Sequence, residues 1–312
     1  MIGSIYLLLG ILILYFSGEY LVTGSVALAK HLKVQPFIIA LTLVAFGTSA
    51  PELAISVNSA LKGLQGITLG NIVGSNIANI LFAIPLAFLI KISKKSDVKK
   101  KDSLFLFAIT VVFSTMVILG KNFELIYGVL SLIILISYIL IIIYEVKSDK
   151  RKVDLSNEEE VNLSAFKAAS FSIAGIFGIV IGAEILIRGA VSTAQFLGIS
   201  QTVIGLTLVA VGTSIPEVAT SMIAAYRGQV NFILGAILGS NLFNILGITG
   251  VASILATIEI ADTLSYVDIF FLILSSIIFL IFTIFSKIIN RPFLVVLLIS
   301  YLIYVLFLFL DF

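Results

Sequence analysis

The sequence contains no cysteine and a single histidine, His31. Disulfides, thiolate metal sites and histidine-cluster metal sites are therefore excluded. His31 lies beside Lys30 and Lys33 and reads as a solvated loop residue. Charge is also scarce. Of 312 residues, 12% are charged and 60% are hydrophobic. Soluble domains carry about 25% charged residues, so the solvent for most of this chain is lipid. The first apolar stretch, Ile2–Phe16, lacks the basic start of a cleaved secretory signal and runs on into more apolar sequence. It reads as a first membrane span.

Runs of roughly 20 apolar residues read as spanning helices. Ten are expected, over 2–22, 36–60, 67–90, 104–120, 123–145, 166–188, 201–226, 231–255, 267–286 and 293–310. Two connections, Lys91–Asp102 and Lys147–Asn162, are too charged to enter lipid and read as loops. Placing the N-terminus outside puts 16 of the 19 basic residues on the odd-numbered, cytoplasmic connections; Lys62, Lys121 and Arg188 are the remainder. By the positive-inside rule this predicts both termini outside a plasma membrane.

The chain also repeats itself. Adding 165 to a number in the first half finds its counterpart in the second. PFIIALTLVAFGTSAPE (36–52) matches QTVIGLTLVAVGTSIPE (201–217) at 11 of 17 positions. GITLGNIVGSNIANIL (66–81) matches NFILGAILGSNLFNIL (231–246) at nine of 16. The expected organisation is a five-helix repeat over 1–145, a cytoplasmic linker over 146–165 and a second five-helix repeat over 166–312. An odd number of spans per repeat means that the second copy enters the membrane from the opposite side. Inverted repeats with broken helices at a central site mark secondary transporters. The best-matched segments are polar ones, which a plain scaffold has no reason to duplicate.

Glu52 and Glu217 fall within long apolar segments. A charge near the bilayer centre costs about 2.5–3.5 kcal/mol on insertion scales, and neighbouring spans supply no Lys or Arg as partner. A cation is the expected partner. Pro51 and Pro216 precede the two glutamates and should break each helix near Thr48–Ser49 and Thr213–Ser214. Carbonyls freed at membrane depth are tolerated where they line a cavity. With hydroxyls and carboxylates they are the hard oxygen ligands of Ca²⁺ and Na⁺. Ser75 and Asn79, and Ser240 and Asn244, are four apart and share one helix face. Asn71 extends this stripe in the first repeat, where the second has Ala236. Gly70 and Gly74, and Gly235 and Gly239, read as close-packing positions. Glu19 and Glu184 fall near the ends of their spans and are expected to position helices.

GTSAPE with GNIVGSN, and GTSIPE with GAILGSN, resemble the two α-repeats of the calcium/cation antiporter superfamily, specifically its prokaryotic Na⁺/Ca²⁺ exchanger branch. The resemblance covers nearly the whole chain. It implies an all-α fold of ten transmembrane helices in two inverted repeats, with helices two and seven broken at a central group of four ion sites. Carried over by position, it makes Glu52 and Glu217 the central Ca²⁺ ligands, with oxygen from Thr48 and Thr213. Ala45 and Ala210 would offer carbonyls to flanking Na⁺ sites lined by Ser49, Ser75, Ser214 and Ser240. Asn79 falls on a polar central ligand, and Asn244 where some members have Asp. The first and sixth spans would form a sliding gate. The expected substrates are Ca²⁺ and Na⁺, exchanged by one chain acting as a monomer in the lipid bilayer. No cofactor, nucleic acid or enzymatic reaction is expected. The alternatives are a Ca²⁺/H⁺ or K⁺-dependent Na⁺/Ca²⁺ antiporter of the same superfamily, and a cation channel or non-transporting membrane scaffold.

Overall fold

The computed structural model describes residues 2–92, 98–148, 163–197, 212–260, 264–285 and 290–310. Its regular elements are helical apart from an isolated bridge between Phe123 and Ile258. Eight helices among the described residues are long and apolar enough to cross a membrane. A ninth candidate span is the bent pair Pro36–Thr48 and Ala50–Leu61, with an angle of 46°. Of the expected span 201–226, the part from 201 to 211 lies outside the described residues.

The first element, α1 (Ile2–Leu32), is ten residues longer than the apolar run that betrays it. Its continuation past Val22 is rich in small and basic residues, which hydropathy undervalues but a helix accepts. His31 is exposed as expected, yet it lies in the last turn of α1 and its Nε2 meets the Leu163 carbonyl at 2.7 Å. Next come α2 (Pro36–Ile39), a π-turn (Ala40–Val44), α3 (Ala45–Thr48) and α4 (Ala50–Leu61). Then α5 (Gln65–Ala78) passes through a second π-turn (Asn79–Ala83) into α6 (Ile84–Ile90). The helices α7 (Lys100–Ile118) and α8 (Leu125–Ser148) follow. The lysines at the end of the expected loop Lys91–Asp102 therefore already belong to α7.

The second half opens with α9 (Ala165–Phe196), again longer than its expected span. It continues through α10 (Ile215–Tyr226), α11 (Val230–Leu242), a π-turn (Phe243–Ile248) and α12 (Thr249–Leu255). It closes with α13 (Tyr266–Ile284) and α14 (Arg291–Leu310). The series from α4 onwards thus recurs with the offset seen in the sequence, π-turn included.

Helices α1 and α9 lie antiparallel along most of their length. Gly3 faces Thr193 and Gly189, Gly10 faces Leu186, and Gly24 faces Ser172. Small residues make this approach possible. A Cβ on Gly24 would lie 2.6 Å from the Ser172 backbone nitrogen, and one on Gly189 would lie 2.6 Å from that of Leu7. The other helices surround a core in which the spans built from α5 and α11 and their continuations are the most deeply buried of the eight straight candidates. Gly235 and Gly239 bring α11 against Phe37 and Leu41. The expected close-packing role of Gly70 and Gly74 involves the counterparts of Phe37 and Leu41, which lie outside the described residues.

Polar contacts sort the connections between two ends. At one end His31 meets Leu163, Lys91 lies beside Gly228, and Lys99 and Lys101 pair with Glu145. At the other, Phe123 and Ile258 exchange backbone hydrogen bonds, Gln65 donates to the Thr257 carbonyl and Asn122 accepts from the Ile260 amide.

Candidate functional site

The break expected near Thr48–Ser49 is present. Ser49 has φ −87° and ψ 9°, outside the helical run, and α4 restarts after it with Pro51 in its first turn. Ser214 adopts almost the same backbone, φ −86° and ψ 1°, ahead of α10 and Pro216. Neither proline has an amide hydrogen, so the carbonyls of Gly47 and Gly212 lose their usual helical donors. Each glutamate falls in the first turn after its break. Exposed amides and the helix dipole favour negative charge there.

The two breaks meet. Ser49 Oγ, from the first half, donates to Glu217 Oε1 at 3.0 Å, and Ser240 Oγ donates to the same oxygen at 3.4 Å. Thr48 also approaches Glu217, and its hydroxyl bonds the Ala45 carbonyl at 3.4 Å. Glu52 is near enough to Glu217 for the two carboxylates to repel. Both are deeply buried, at 1% and 3% exposure. The ion pairs found among the described residues lie elsewhere.

Asn79 and Asn244 open the π-turns of their helices or sit one residue inside them, and both are buried. Asn79 Nδ2 donates to Asn241 Oδ1 at 2.9 Å, and Asn241 Nδ2 donates to the Asn76 carbonyl at 3.3 Å. The structure therefore adds Asn76 and Asn241 to the polar centre. Both belong to the repeated GSN triplet, so their recurrence 165 residues apart was available as a signal. Asn71, the polar position without a counterpart in the second repeat, joins them. It bonds the backbone of Glu52, the hydroxyl of Ser56 and the hydroxyl of Thr213.

Ala45, Thr48, Ser49, Ser75, Ser214 and Ser240 are all buried. Thr213 is half-buried, and Ala210 lies outside the described residues. Several buried polar atoms here have no hydrogen-bond partner among the described residues: the oxygens Glu52 Oε2, Glu217 Oε2, Asn79 Oδ1, Asn244 Oδ1 and Ser214 Oγ, and one donor, Asn244 Nδ2. Buried polar atoms are ordinarily satisfied. A set of unpartnered atoms that is mostly oxygen, two of them carboxylate oxygens, fits hard cations, which take oxygen ligands. A cavity of about 500 Å³ borders this centre, lined in part by Pro51, Ile55, Thr213 and Pro216.

Glu19 and Glu184 are not at helix ends, because α1 and α9 run about ten residues past the expected spans. Glu184 pairs with Arg188 on its own helix at 2.7 Å. Glu19 pairs with Arg227 at the end of α10, joining α1 to the inner bundle. The Glu19 pair links two helices, whereas the Glu184 pair is an exposed contact within one helix and joins it to no other.

Comparison with known proteins decides the family. The profile described as "Sodium/calcium exchanger protein" matches residues 2–144 and 167–310. The chain belongs to the sodium/calcium exchanger family. The chain is 30% identical over 299 residues to the sodium/calcium exchanger MaX1 of Methanosarcina acetivorans, covering 84% of this chain and 85% of that one. It is 34% identical over 253 residues to an uncharacterised membrane protein of Methanocaldococcus jannaschii, covering 81% and 82%. The structure of the sodium-calcium exchanger NCX_Mj soaked with 2.5 mM Na⁺ and 0.1 mM Ca²⁺ superposes with a TM-score of 0.82 at 32% identity, over 97% of both chains. The exchanger is thus a membrane-embedded cation-exchange transporter and not an enzyme.

Proposed function

We propose that this chain exchanges Na⁺ for Ca²⁺ across the plasma membrane by alternating access, with net movement of charge. The observation that carries this reading is the unpartnered oxygen gathered around Glu52 and Glu217 at the junction of two helix breaks. The two halves act as inverted five-helix repeats, 1–145 and 166–312, joined by a cytoplasmic linker over 146–165. Helices two and seven of the ten are the broken ones. Glu52 and Glu217 bind Ca²⁺ with Thr48 and Thr213. Ala45, Ala210, Ser49, Ser75, Ser214 and Ser240 form the flanking Na⁺ sites, and Asn79 and Asn244 the inner one.

The charge count supports exchange over leakage. Two ionised carboxylates give the empty site a double negative charge, which is costly to enclose in a low-dielectric interior. One Ca²⁺ neutralises it, and several Na⁺ would do so with a surplus. Only loaded forms then cross between the two faces. The hydroxyls, amides and carbonyls coordinate Na⁺ but do not take up protons near neutral pH. This favours Na⁺ over H⁺ as the counter-ion.

The test is ⁴⁵Ca²⁺ uptake into proteoliposomes. Uptake should follow an outward Na⁺ gradient without a pH gradient, and an inside-positive potential should accelerate it. Uptake that follows a proton gradient in Na⁺-free medium and ignores Na⁺ overturns the reading in favour of Ca²⁺/H⁺ antiport.

A further inference from the structure

We propose that Asn71 is a positioning residue that orients the Thr213 hydroxyl toward the ion, and that among the described residues only one of the two helix breaks has such an amide. The inference rests on the ion-site reading above and deepens it.

The geometry fixes which way the Asn71 amide points. Its Nδ2 donates to the Glu52 carbonyl at 3.1 Å and to Ser56 Oγ at 2.9 Å. Both acceptors belong to α4, one turn apart. With both amide hydrogens committed, Oδ1 remains to accept, and it receives the Thr213 hydroxyl at 3.4 Å. Asn71 on α5 therefore bridges the turn of α4 that holds Glu52 and the break ahead of α10 that leads to Glu217. A hydroxyl has one proton and two lone pairs. Once its proton is held by Asn71, Thr213 keeps its lone pairs for a cation and presents no positive end toward the carboxylates.

The other break lacks this arrangement. The position 165 residues beyond Asn71 is Ala236, which has no amide. Thr48, the counterpart of Thr213, turns its hydroxyl to the Ala45 carbonyl of its own helix instead. The two threonines are thus set by different partners. The Thr213 side is held by an amide on a neighbouring helix, whereas Thr48 bonds the backbone of its own helix and approaches the Glu217 carboxylate. Asn71 is repeated nowhere in the second half, so its role is separate from that of the duplicated ligand set.

The test is equilibrium ⁴⁵Ca²⁺ binding to the purified full-length protein, beside flux in proteoliposomes. Asn71→Ala should weaken Ca²⁺ binding about five-fold, the scale of one lost hydrogen bond. In flux, it should raise the half-saturating Ca²⁺ concentration by a larger factor than it lowers the maximal rate. The effect should be absent when Asn71→Ala is added to Thr213→Val, and present when it is added to Thr213→Ser, which keeps the hydroxyl. Multiplying effects of Asn71→Ala and Thr213→Val overturn the proposal, as does a loss confined to the maximal rate. Where Asn71→Ala does not fold, Asn71→Ser takes its place, because its short side chain cannot reach both α4 and Thr213. Thr213→Val alone gives an independent reading, and unchanged Ca²⁺ binding in it also overturns the proposal. Wild-type protein that binds Ca²⁺ but exchanges it only for protons sinks the Na⁺ reading and leaves this comparison intact.

Discussion

At the scale of single residues, two carboxylates carry the site. Glu52→Gln and Glu217→Gln should each abolish Ca²⁺ transport while leaving membrane insertion near normal. An amide keeps the shape but supplies no charge to balance a divalent ion, and a neutral side chain costs less in lipid. Fluorescence-detected size exclusion monitors the fold and ⁴⁵Ca²⁺ uptake the function. Retained uptake in both single variants refutes the central assignment. These glutamates were legible in the sequence because charge in an apolar run stands out. The cross-half bond from Ser49 to Glu217 was not legible. It depends on two helix breaks meeting in space, and neither break reveals the other's position. The same limit applied to Asn71, whose three partners lie on two other segments.

At the scale of helices, apolar length located the spans and proline located the first break, but neither showed where α1 and α9 end. Both continue well past their most hydrophobic stretches. Hydropathy marks what lipid will accept, whereas helix length also depends on packing against a partner. The π-turns after Ala78 and Leu242 were likewise hidden. Such turns add one residue to a helix without a composition signal of their own. The Glu19–Arg227 pair joins α1 to α10 and is partly shielded, with side-chain exposures of 18% and 33%. Arg227→Ala should lower thermal stability in detergent by about 1–3 kcal/mol, between the values for exposed and buried pairs. The exchange Glu19→Arg with Arg227→Glu should recover part of the loss. No change in melting on Arg227→Ala would show that the contact contributes nothing to the junction.

At the scale of the whole molecule, the absence of cysteine makes sidedness straightforward to measure. Lys101→Cys should react with a membrane-impermeant maleimide only from the cytoplasm, and Lys121→Cys only from outside. The reverse pattern would invert the orientation drawn from basic residues. The sequence repeat made the recurring order of helices and π-turns legible from α4 and α10 onwards, because the matched segments are long and polar. It did not show that connections from both halves would gather at each end, as Lys91 with Gly228 and Phe123 with Ile258 do. Those contacts depend on how the halves dock, and sequence identity between repeats carries no information about docking.

The lengths of α1 and α9 bear on the bilayer itself. At 1.5 Å per residue, 31 and 32 residues reach about 47 Å, whereas the hydrocarbon layer is about 30 Å thick. Two helices joined backbone to backbone through glycine cannot kink independently to shed the excess. They must lie steeply oblique in the membrane or project from it. A thicker bilayer would draw this pair upright and a thinner one would flatten it. Exchange in vesicles of graded acyl-chain length should therefore pass through an optimum, with Ca²⁺ binding in detergent unaffected by the lipid chosen for reconstitution. A rate indifferent to chain length would mean that the pair's inclination is fixed by the rest of the protein and not by the membrane around it.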